Sequence, residues 1–422
     1  MAVNLGWGVG SEILAMLVTM TTFMALGRTL GAHGYGGYAA VYAIAGPLIT
    51  WSSVGAGMAL MDHVLRGGEP LAETTRSCLS ISLLFGVLSS AISIVAALFI
   101  VEDIATMAVV ALVVTELLTT PVVMLISRVA QTENDFVRAV QIPMILYTCK
   151  LIVVLTLWAT GTLTVLSLAV SMLVCSVVLA LVLSRWVSRR YSMEFAPGAV
   201  EWKHLKTNAV YSVGTTAAGF NNDGDKVFLT ARGMQEIAGL YSAAGRIVNL
   251  GLIPIGTLLH ATHRRFLIND PGRRGQHVRL ALRLSGAGLA YSAVAITAVD
   301  LIAPVLPRIV GDSFSSSVEM VRWLSPIIAI RTVTSFAMNG LMGLGKTHVR
   351  SMISISNAVI AIGLYIVLIP RFDWRGAAAA TLLAESIECI TAWTLLVWFQ
   401  RTTDRQADLR QQAELHGAEA GS

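Results

Sequence analysis

The sequence predicts an all-α polytopic membrane protein with about 12 transmembrane helices. Hydrophobic residues make up 55% of the 422-residue chain and charged residues only 13%, whereas an average soluble domain carries about 25% charged residues. The apolar runs are long enough to cross the ~30 Å hydrocarbon core of a bilayer as helices. They are continuous rather than alternating, which favours helices over a β-barrel. A soluble globular enzyme, a disordered chain and a secreted disulfide scaffold are therefore excluded.

Twelve apolar segments support that count. They are residues 4–26, 37–61, 78–100, 104–127, 139–158, 162–184, 207–230, 237–261, 281–305, 317–343, 351–370 and 376–399. Two groups of six predict an N-terminal six-helix lobe at 1–184 and a C-terminal six-helix lobe at 207–400. A cytoplasmic inter-lobe linker at 185–206 joins them, and a polar cytoplasmic tail at 401–422 follows the last span.

The distribution of Lys and Arg predicts that both termini lie in the cytoplasm. With that orientation the inner segments hold 20 of the 30 basic residues, the outer loops hold 5, and 5 lie within spans. Cytoplasmic loops of membrane proteins are enriched in Lys and Arg. The net charge of +5 is thus explained by topology, and we predict no nucleic-acid partner. A missed or extra span would scramble the alternation, so the asymmetry also supports twelve spans.

Short matches between the two halves indicate an internal duplication. At an offset of 203 residues the matching pairs are Leu26/Leu229, Gly36/Gly239, Tyr38/Tyr241, Ala40/Ala243 and Ile44/Ile247. Because each predicted half has an even number of spans, both halves have the same orientation. Such a parallel repeat is related by an axis along the membrane normal, and its two lobes commonly enclose a central cavity.

Three groups of residues, in order along the chain, resemble one known family. The first group is Leu26-Gly27-Arg28-Thr29-Leu30-Gly31 followed by Gly34-Tyr35-Gly36-Gly37-Tyr38. The second is Asp225-Lys226-Val227-Phe228-Leu229 with Gly239-Leu240-Tyr241-Ser242-Ala243-Ala244, and the third is Asn357 with Leu368-Ile369-Pro370 and Gly376-Ala377-Ala378-Ala379-Ala380-Thr381. Together they resemble Wzx-like polysaccharide flippases of the multidrug/oligosaccharidyl-lipid/polysaccharide (MOP) exporter superfamily. The similarity runs over nearly the whole chain.

The resemblance implies a function in cell-surface polysaccharide biosynthesis. Flippases of this family move a polyprenyl-(pyro)phosphate-linked oligosaccharide from the inner to the outer leaflet of the bacterial cytoplasmic membrane, by alternating access between two lobes. The implied partners are this lipid-linked glycan and other polysaccharide-assembly membrane proteins. The chain is then not an enzyme, and the short outer connections also disfavour a glycan ligase or polymerase. A lipid II flippase is disfavoured because two further spans would be expected.

A second function within the same superfamily stays open. This alternative is a cation-coupled multidrug exporter of the MATE type. Its cavity should be acidic and aromatic in order to bind cationic drugs, so a cationic cavity would argue against it.

Six basic residues are candidates for binding the phosphate of the lipid headgroup. They are Arg246, Arg331, Lys150, Arg28, Lys226 and Arg322. A charge within the bilayer is costly unless it lines water or meets a partner. The planar guanidinium of Arg246 or Arg331 would bind phosphate oxygens bidentately, or would instead pair with Glu385 or Glu388. For Lys150 and Arg28 the alternative is snorkelling or anchoring at the interface.

Four carboxylates are candidates for binding Na⁺ or carrying a proton. They are Asp225, Glu385, Glu388 and Glu116. Asp225 matches the acidic position of the resembling family and follows a flexible glycine. Glu385 and Glu388 are three residues apart and so share one helical face. The alternative for each is a salt bridge with Lys226 or a neighbouring arginine. We predict no other cofactor.

Two further motifs match a pattern without its structural context. Residues 340–347 fit the phosphate-loop pattern GxxxxGK[ST], but that loop requires a strand before it, and here a membrane helix precedes it. His260 and His263 have no carboxylate nearby, which indicates a membrane-interface position and not a metal site. The four cysteines lie in apolar stretches without a CxxC pair, so we predict neither a disulfide nor a metal site.

Overall fold

The computed structural model describes residues 2–101, 103–267 and 275–419. All regular secondary structure in those ranges is helical, and each predicted span overlaps a helix. The all-α polytopic class is confirmed.

Packing divides the chain into two compact units. Unit 1 comprises Met1–Ser242 with Leu306–Ser315, and unit 2 comprises Ala243–Val305 with Ser316–Ser422. The predicted lobe boundary at 185–206 stays a prediction. Residues 207–230, which we predicted to form the first span of the second lobe, pack within unit 1.

Unit 1 is built from ten helices and the start of an eleventh. They are α1 (Ala2–Ala45), α2 (Ile49–Ser52), α3 (Val54–Leu65), α4 (Leu71–Ile100), α5 (Thr106–Val114), α6 (Thr120–Thr132), α7 (Phe136–Ala159), α8 (Val165–Arg190), α9 (Trp202–Ala231), the start of α10 (Gln235–Leu250), and α13 (Leu306–Val310). A π-helical segment, Thr115–Thr119, joins α5 to α6. One apolar cluster of this unit holds Leu60, Ile126, Leu146 and Val187, all of them buried.

Unit 2 contains the rest of α10 and five further helices. These are α11 (Ile253–Leu267), α12 (Gln276–Ile302), α14 (Ser317–Leu324), α15 (Ile327–Gly343) and α16 (Thr347–Glu419). Its core contains Phe266, Phe336, Leu341 and Leu396, which are completely buried.

The number of membrane-crossing helices depends on how broken helices are counted. Seven segments of the described chain are long and apolar enough to cross a membrane, or eight if the bent pair α10–α11 is one span. Two of the seven, Leu14–Leu65 and Thr347–Arg405, each contain two predicted spans. Their helices break at Gly31 and at Asp373, where φ is positive.

Two other predicted spans are not among these segments, and each absence has an identifiable reason. The predicted span 317–343 is divided into α14 and α15 at Pro326, whose ring cannot continue a helix from the preceding turn. The helix α9 is 30 residues long but is not among these apolar segments, because uncharged polar residues such as Asn208, Asn221 and Asn222 lower its hydropathy together with its charged residues.

The glycines Gly36 and Gly239, which the proposed repeat pairs, pack against each other. A Cβ atom on Gly36 would collide with the carbonyl oxygen of Gln235 and lie 3.2 Å from the backbone nitrogen of Gly239. A Cβ atom on Gly239 would collide with the carbonyl oxygen of Ala32 and lie 2.8 Å from the Cα of Gly36. Only glycine allows two backbones to approach this closely, which explains why both positions lack a side chain.

Candidate functional site

A buried ion pair joins α7 to the π-helical segment of unit 1. The ammonium of Lys150 lies 2.6 Å from Oε1 of Glu116, and only 8% of Lys150 is exposed. The hydroxyl of Tyr42 donates to the same oxygen at 3.1 Å, and the Lys150 ammonium lies 3.5 Å from Oγ1 of Thr120. We call Lys150 and Glu116 the lysine pair. Glu116 thus forms a salt bridge with Lys150, a partner that the sequence analysis did not give for it.

The local sequence explains why Glu116 lies on an irregular turn. Pro121 is near the start of α6 and has no N–H to donate to the carbonyl four residues earlier. The helix widens to a π turn over Thr115–Thr119, and such turns occur frequently at functional sites. The widened turn carries the Glu116 carboxylate to the ammonium of Lys150.

A second buried ion pair joins α15 to α16 in unit 2. The guanidinium of Arg331 donates to Oε1 of Glu385 from Nε at 2.9 Å and from Nη2 at 2.7 Å. The side chains are 19% and 7% exposed. We call Arg331 and Glu385 the arginine pair. Pairing with Glu385 is the alternative that the sequence left open for Arg331.

Glu388 has different partners from its neighbour on the same helix. Its Oε2 accepts a hydrogen bond from Nδ2 of Asn357 at 2.9 Å, and its Oε1 accepts one from the hydroxyl of Ser354 at 3.3 Å. Glu388 is buried, with 8% of its surface exposed. Amide and hydroxyl groups hydrogen-bond a carboxyl group in either protonation state, so this site suits a group that gains and loses a proton.

The charged residues of α9 form a separate polar group in unit 1. The ammonium of Lys226 bonds to the carboxylate of Asp223 and to the carbonyl oxygen of Asn222, the latter at 3.1 Å. Asp225 is 4% exposed, and its Oδ1 accepts the backbone N–H of Lys226 at 2.8 Å. Asp225 is thus a buried carboxylate near the end of α9.

The remaining predicted cations lie elsewhere. Arg28 is exposed and donates from Nε to the carbonyl oxygen of Ile309 at 2.6 Å, at the end of α13. Arg322 is exposed on the short helix α14. Arg246 lies on α10 and is partly buried. The structure therefore brings Arg331 to Glu385 and Lys150 to Glu116, but it does not gather the six cations at one point within either unit.

Several residues of these sites escaped the sequence analysis. Tyr42 is one, because an aromatic residue in an apolar helix gives no sign of a carboxylate partner 74 residues away. A cluster of His63, Glu69 and His204 is another, since Glu69 and His204 are 135 residues apart along the chain. The side chains of His260 and His263 lie outside the described residues.

The phosphate-loop pattern follows a helix, as the sequence analysis predicted. Residues 340–347 run from the end of α15 into the start of α16, and no strand precedes them in the described chain. Gly340 is packed against Leu396 and Gly343 against His277. These glycines serve helix packing, because a side chain at either position would collide with its neighbours.

The cost of an unpaired charge in hydrocarbon limits which ligands the lysine pair and the arginine pair can bind. A charge left alone in hydrocarbon costs several kcal/mol, so each cation is stable where it is only while an anion accompanies it. A phosphate can take the place of the carboxylate as that anion. Of the two cations, the arginine has the fork that matches two phosphate oxygens.

Comparison with known proteins identifies the family and the fold of the chain. Residues 2–262 match the model of the polysaccharide biosynthesis protein family. No curated protein matches the chain. Among solved structures, the chain is similar to an inward-facing multidrug resistance MATE family transporter of the MOP superfamily, with 14% identity and a TM-score of 0.73, over 93% of this chain and 95% of the other.

Two further structures have the same fold. An outward-facing MATE family transporter is 15% identical, with a TM-score of 0.62 over 94% of each chain. A MOP superfamily transporter from Pyrococcus furiosus, described by the reverse polarity of its binding pocket, is 13% identical, with a TM-score of 0.59 over 96% of this chain and 94% of the other. All three proteins are described as transporters. The chain therefore belongs to the polysaccharide biosynthesis protein family and has the fold of the MOP superfamily transporters.

Proposed function

We propose that the protein is a flippase for a polyprenyl-(pyro)phosphate-linked oligosaccharide. It moves this lipid from the inner to the outer leaflet of a bacterial cytoplasmic membrane for cell-surface polysaccharide biosynthesis. The observation that carries the proposal is the match of residues 2–262 to the polysaccharide biosynthesis family. The partly buried guanidinium of Arg331 in unit 2 supports an anionic substrate.

The arginine pair is the proposed binding point for the lipid phosphate. Both bonds from Arg331 go to one oxygen of Glu385. A phosphate presents two oxygens at the spacing of the guanidinium fork, so exchange of carboxylate for phosphate keeps both hydrogen bonds and the neutral charge balance. The Glu385 carboxylate then becomes available for a proton or Na⁺. This exchange would couple binding of the headgroup to binding of a cation.

The other residues predicted from the sequence have secondary places in this proposal. Arg246, Lys226, Arg322 and Arg28 are further candidates for binding the lipid phosphate, and Glu388, Asp225 and Glu116 are the further candidates for the coupling ion, H⁺ or Na⁺. The 20 basic residues of the predicted inner segments support cytoplasmic termini. Other polysaccharide-assembly membrane proteins would supply and consume the lipid-linked glycan.

Depletion of the gene tests the proposed substrate. Extracted polyprenyl-linked glycans are analysed by mass spectrometry, and a membrane-impermeant reagent reports which leaflet holds them. We expect a complete lipid-linked oligosaccharide to accumulate on the cytoplasmic face, because synthesis continues while export stops. Unchanged lipid intermediates together with altered sensitivity to cationic dyes would contradict the proposal and favour a multidrug exporter.

A further inference from the structure

Two histidines and a glutamate meet where three chain segments of unit 1 converge. His63 lies near the end of α3, Glu69 precedes α4, and His204 lies in the first turn of α9. Their ligand atoms all lie within 4.8 Å of one another. We call these three residues the histidine cluster. It lies on the predicted cytoplasmic side and is separate from both buried ion pairs.

The spacing within the histidine cluster is close to that of a metal coordination shell. Nδ1 of His63 lies 3.0 Å from Oε1 of Glu69, and Nε2 of His204 lies 2.9 Å from Oε2 of Glu69. Ligand atoms of a tetrahedral zinc ion are about 3.3 Å apart, as follows from bond lengths of about 2.0–2.1 Å. Small side-chain rotations would therefore bring all three ligands to one ion.

The hydrogen bonds of His63 leave a position for a cation. The hydroxyl of Thr207 donates its hydrogen to the carbonyl oxygen of Lys203, so Oγ1 of Thr207 accepts the Nε2–H of His63 at 3.0 Å. A neutral His63 with its proton on Nε2 then points the lone pair of Nδ1 at the Glu69 carboxylate. That contact is repulsive unless a proton or a metal ion lies between the two atoms.

His204, like His63, has a hydrogen-bond partner outside the histidine cluster. Nδ1 of His204 lies 2.9 Å from the hydroxyl oxygen of Ser77, and His204 is completely buried. Metal-binding histidines usually have such a partner on the ring nitrogen that does not bind the metal, which fixes the orientation of the ring. Burial also lowers the entropic cost of binding because the side chain is already fixed.

Two features adapt Glu69 to a metal ligand. The imidazoles of His204 and His63 and the ammonium of Lys203 all converge on the Glu69 carboxylate, at 2.9, 3.0 and 3.0 Å. The ammonium of Lys203, 3.0 Å from Oε1 of Glu69, competes with a metal ion for that oxygen. Lys203 also bonds to Glu201 at 2.9 Å, so it retains a partner when a metal takes its place on Glu69.

We propose that His63, Glu69 and His204 bind one Zn²⁺ ion, which fixes the start of α9 to α3 and to the segment before α4. Two imidazoles and one carboxylate suit zinc and not magnesium or calcium, which prefer oxygen ligands only. The fourth position is open to water. Because α9 begins where the predicted inter-lobe linker ends, the ion would hold that end of the linker against the first predicted lobe. This proposal is independent of the transported substrate.

Metal titration of the full-length, untagged protein in detergent tests the site. Zn²⁺ is titrated in competition with a chromophoric chelator, and Co²⁺ replaces it to give the absorption bands of a four-coordinate ion. We expect one ion per chain, and at least about a 10–100-fold loss of affinity in His63→Gln and in Glu69→Gln. Glu69→Gln keeps the hydrogen-bonding shape of the side chain and so preserves folding. The matched control is His33→Gln, which removes a histidine paired with another carboxylate, Asp103, and should bind as the wild type does.

Lys203→Met separates a metal site from a purely ionic cluster. It removes the competing ammonium and is expected to raise the Zn²⁺ affinity, whereas loss of a structural salt bridge would leave it unchanged or lower it. The proposal is overturned if the wild-type protein binds no Zn²⁺ in this competition. It is also overturned if His63→Gln binds like the wild type, or if Lys203→Met binds no more tightly than the wild type.

Discussion

The two buried ion pairs solve the same electrostatic problem with different chemistry. In unit 1 the compact ammonium of Lys150 lies against Glu116, whose Oε1 also accepts from Tyr42. In unit 2 the guanidinium of Arg331 directs two donors at one oxygen of Glu385. The first arrangement surrounds the carboxylate with donors and fixes it, whereas the second leaves the carboxylate replaceable by a ligand with two oxygens. We infer that the lysine pair stabilises unit 1 and that the arginine pair binds the headgroup.

Breaking the lysine pair should give the largest loss of stability. Lys150→Met leaves the Glu116 carboxylate in a low-dielectric interior, which costs about 3–5 kcal/mol. The double variant Lys150→Met with Glu116→Leu removes both charges and should recover most of that loss. Thermal unfolding in detergent, followed by tryptophan fluorescence, measures both. A double variant no more stable than the single one would show that the pair is not the source of the effect.

A smaller loss is expected at the arginine pair when only the charge is removed. Glu385→Gln removes the anion beside Arg331 but keeps a carbonyl oxygen that accepts from it. Because the Arg331 side chain is 19% exposed and water can partly solvate its charge, the cost should be about 1.5–3 kcal/mol. The same unfolding assay measures it. A loss larger than that of Lys150→Met would reverse the comparison and assign the structural role to the arginine pair.

A loss of stability comparable to that of Glu385→Gln, but purely steric in origin, is expected where Gly36 and Gly239 meet. In Gly36→Ala the new methyl group collides with backbone atoms of Gln235, which cannot rotate away. Overpacking of this kind costs about 1–3 kcal/mol. The control Gly245→Ala adds a methyl group where nothing lies within 4 Å, and it should leave the unfolding temperature near that of the wild type. Equal effects of the two substitutions would contradict the close packing at Gly36.

The smallest effect is expected at Tyr42. Tyr42→Phe deletes the hydroxyl that donates to Glu116 but leaves the Lys150 ammonium in place. The loss should be about 1 kcal/mol, the usual net contribution of one hydrogen bond, and export should continue. Loss of export without loss of stability would move the transport role from the arginine pair to the lysine pair.

Local features of the fold could be predicted from the sequence, whereas the partners of the buried charges could not. The lengths of the apolar runs predicted the spans. The glycines around Gly31 predicted a turn after the first span, and φ of Gly31 is +68°. The division of 317–343 had a signal, Pro326, that apolar length alone obscured. Proximity of Glu385 and Glu388 followed from helical spacing.

The pairings themselves depend on tertiary structure. Glu116 and Lys150 are 34 residues apart, and Arg331 and Glu385 are 54 apart, so no local pattern connects them. The sequence could offer pairing as an alternative for Arg331 but could not choose the partner. The histidine cluster joins residues on three segments, and it was missed for the same reason.

Export by variants of the arginine pair tests the central claim most directly. Cells depleted of the native protein are complemented with Arg331→Ala, Glu385→Ala or the double variant, and surface glycan is measured at equal amounts of inserted protein. The account predicts that Arg331→Ala stops export and that adding Glu385→Ala restores stability without restoring export, because the phosphate has lost its guanidinium. Recovery of export in the double variant would mean that Arg331 only neutralises Glu385, and it would contradict a headgroup site at this pair.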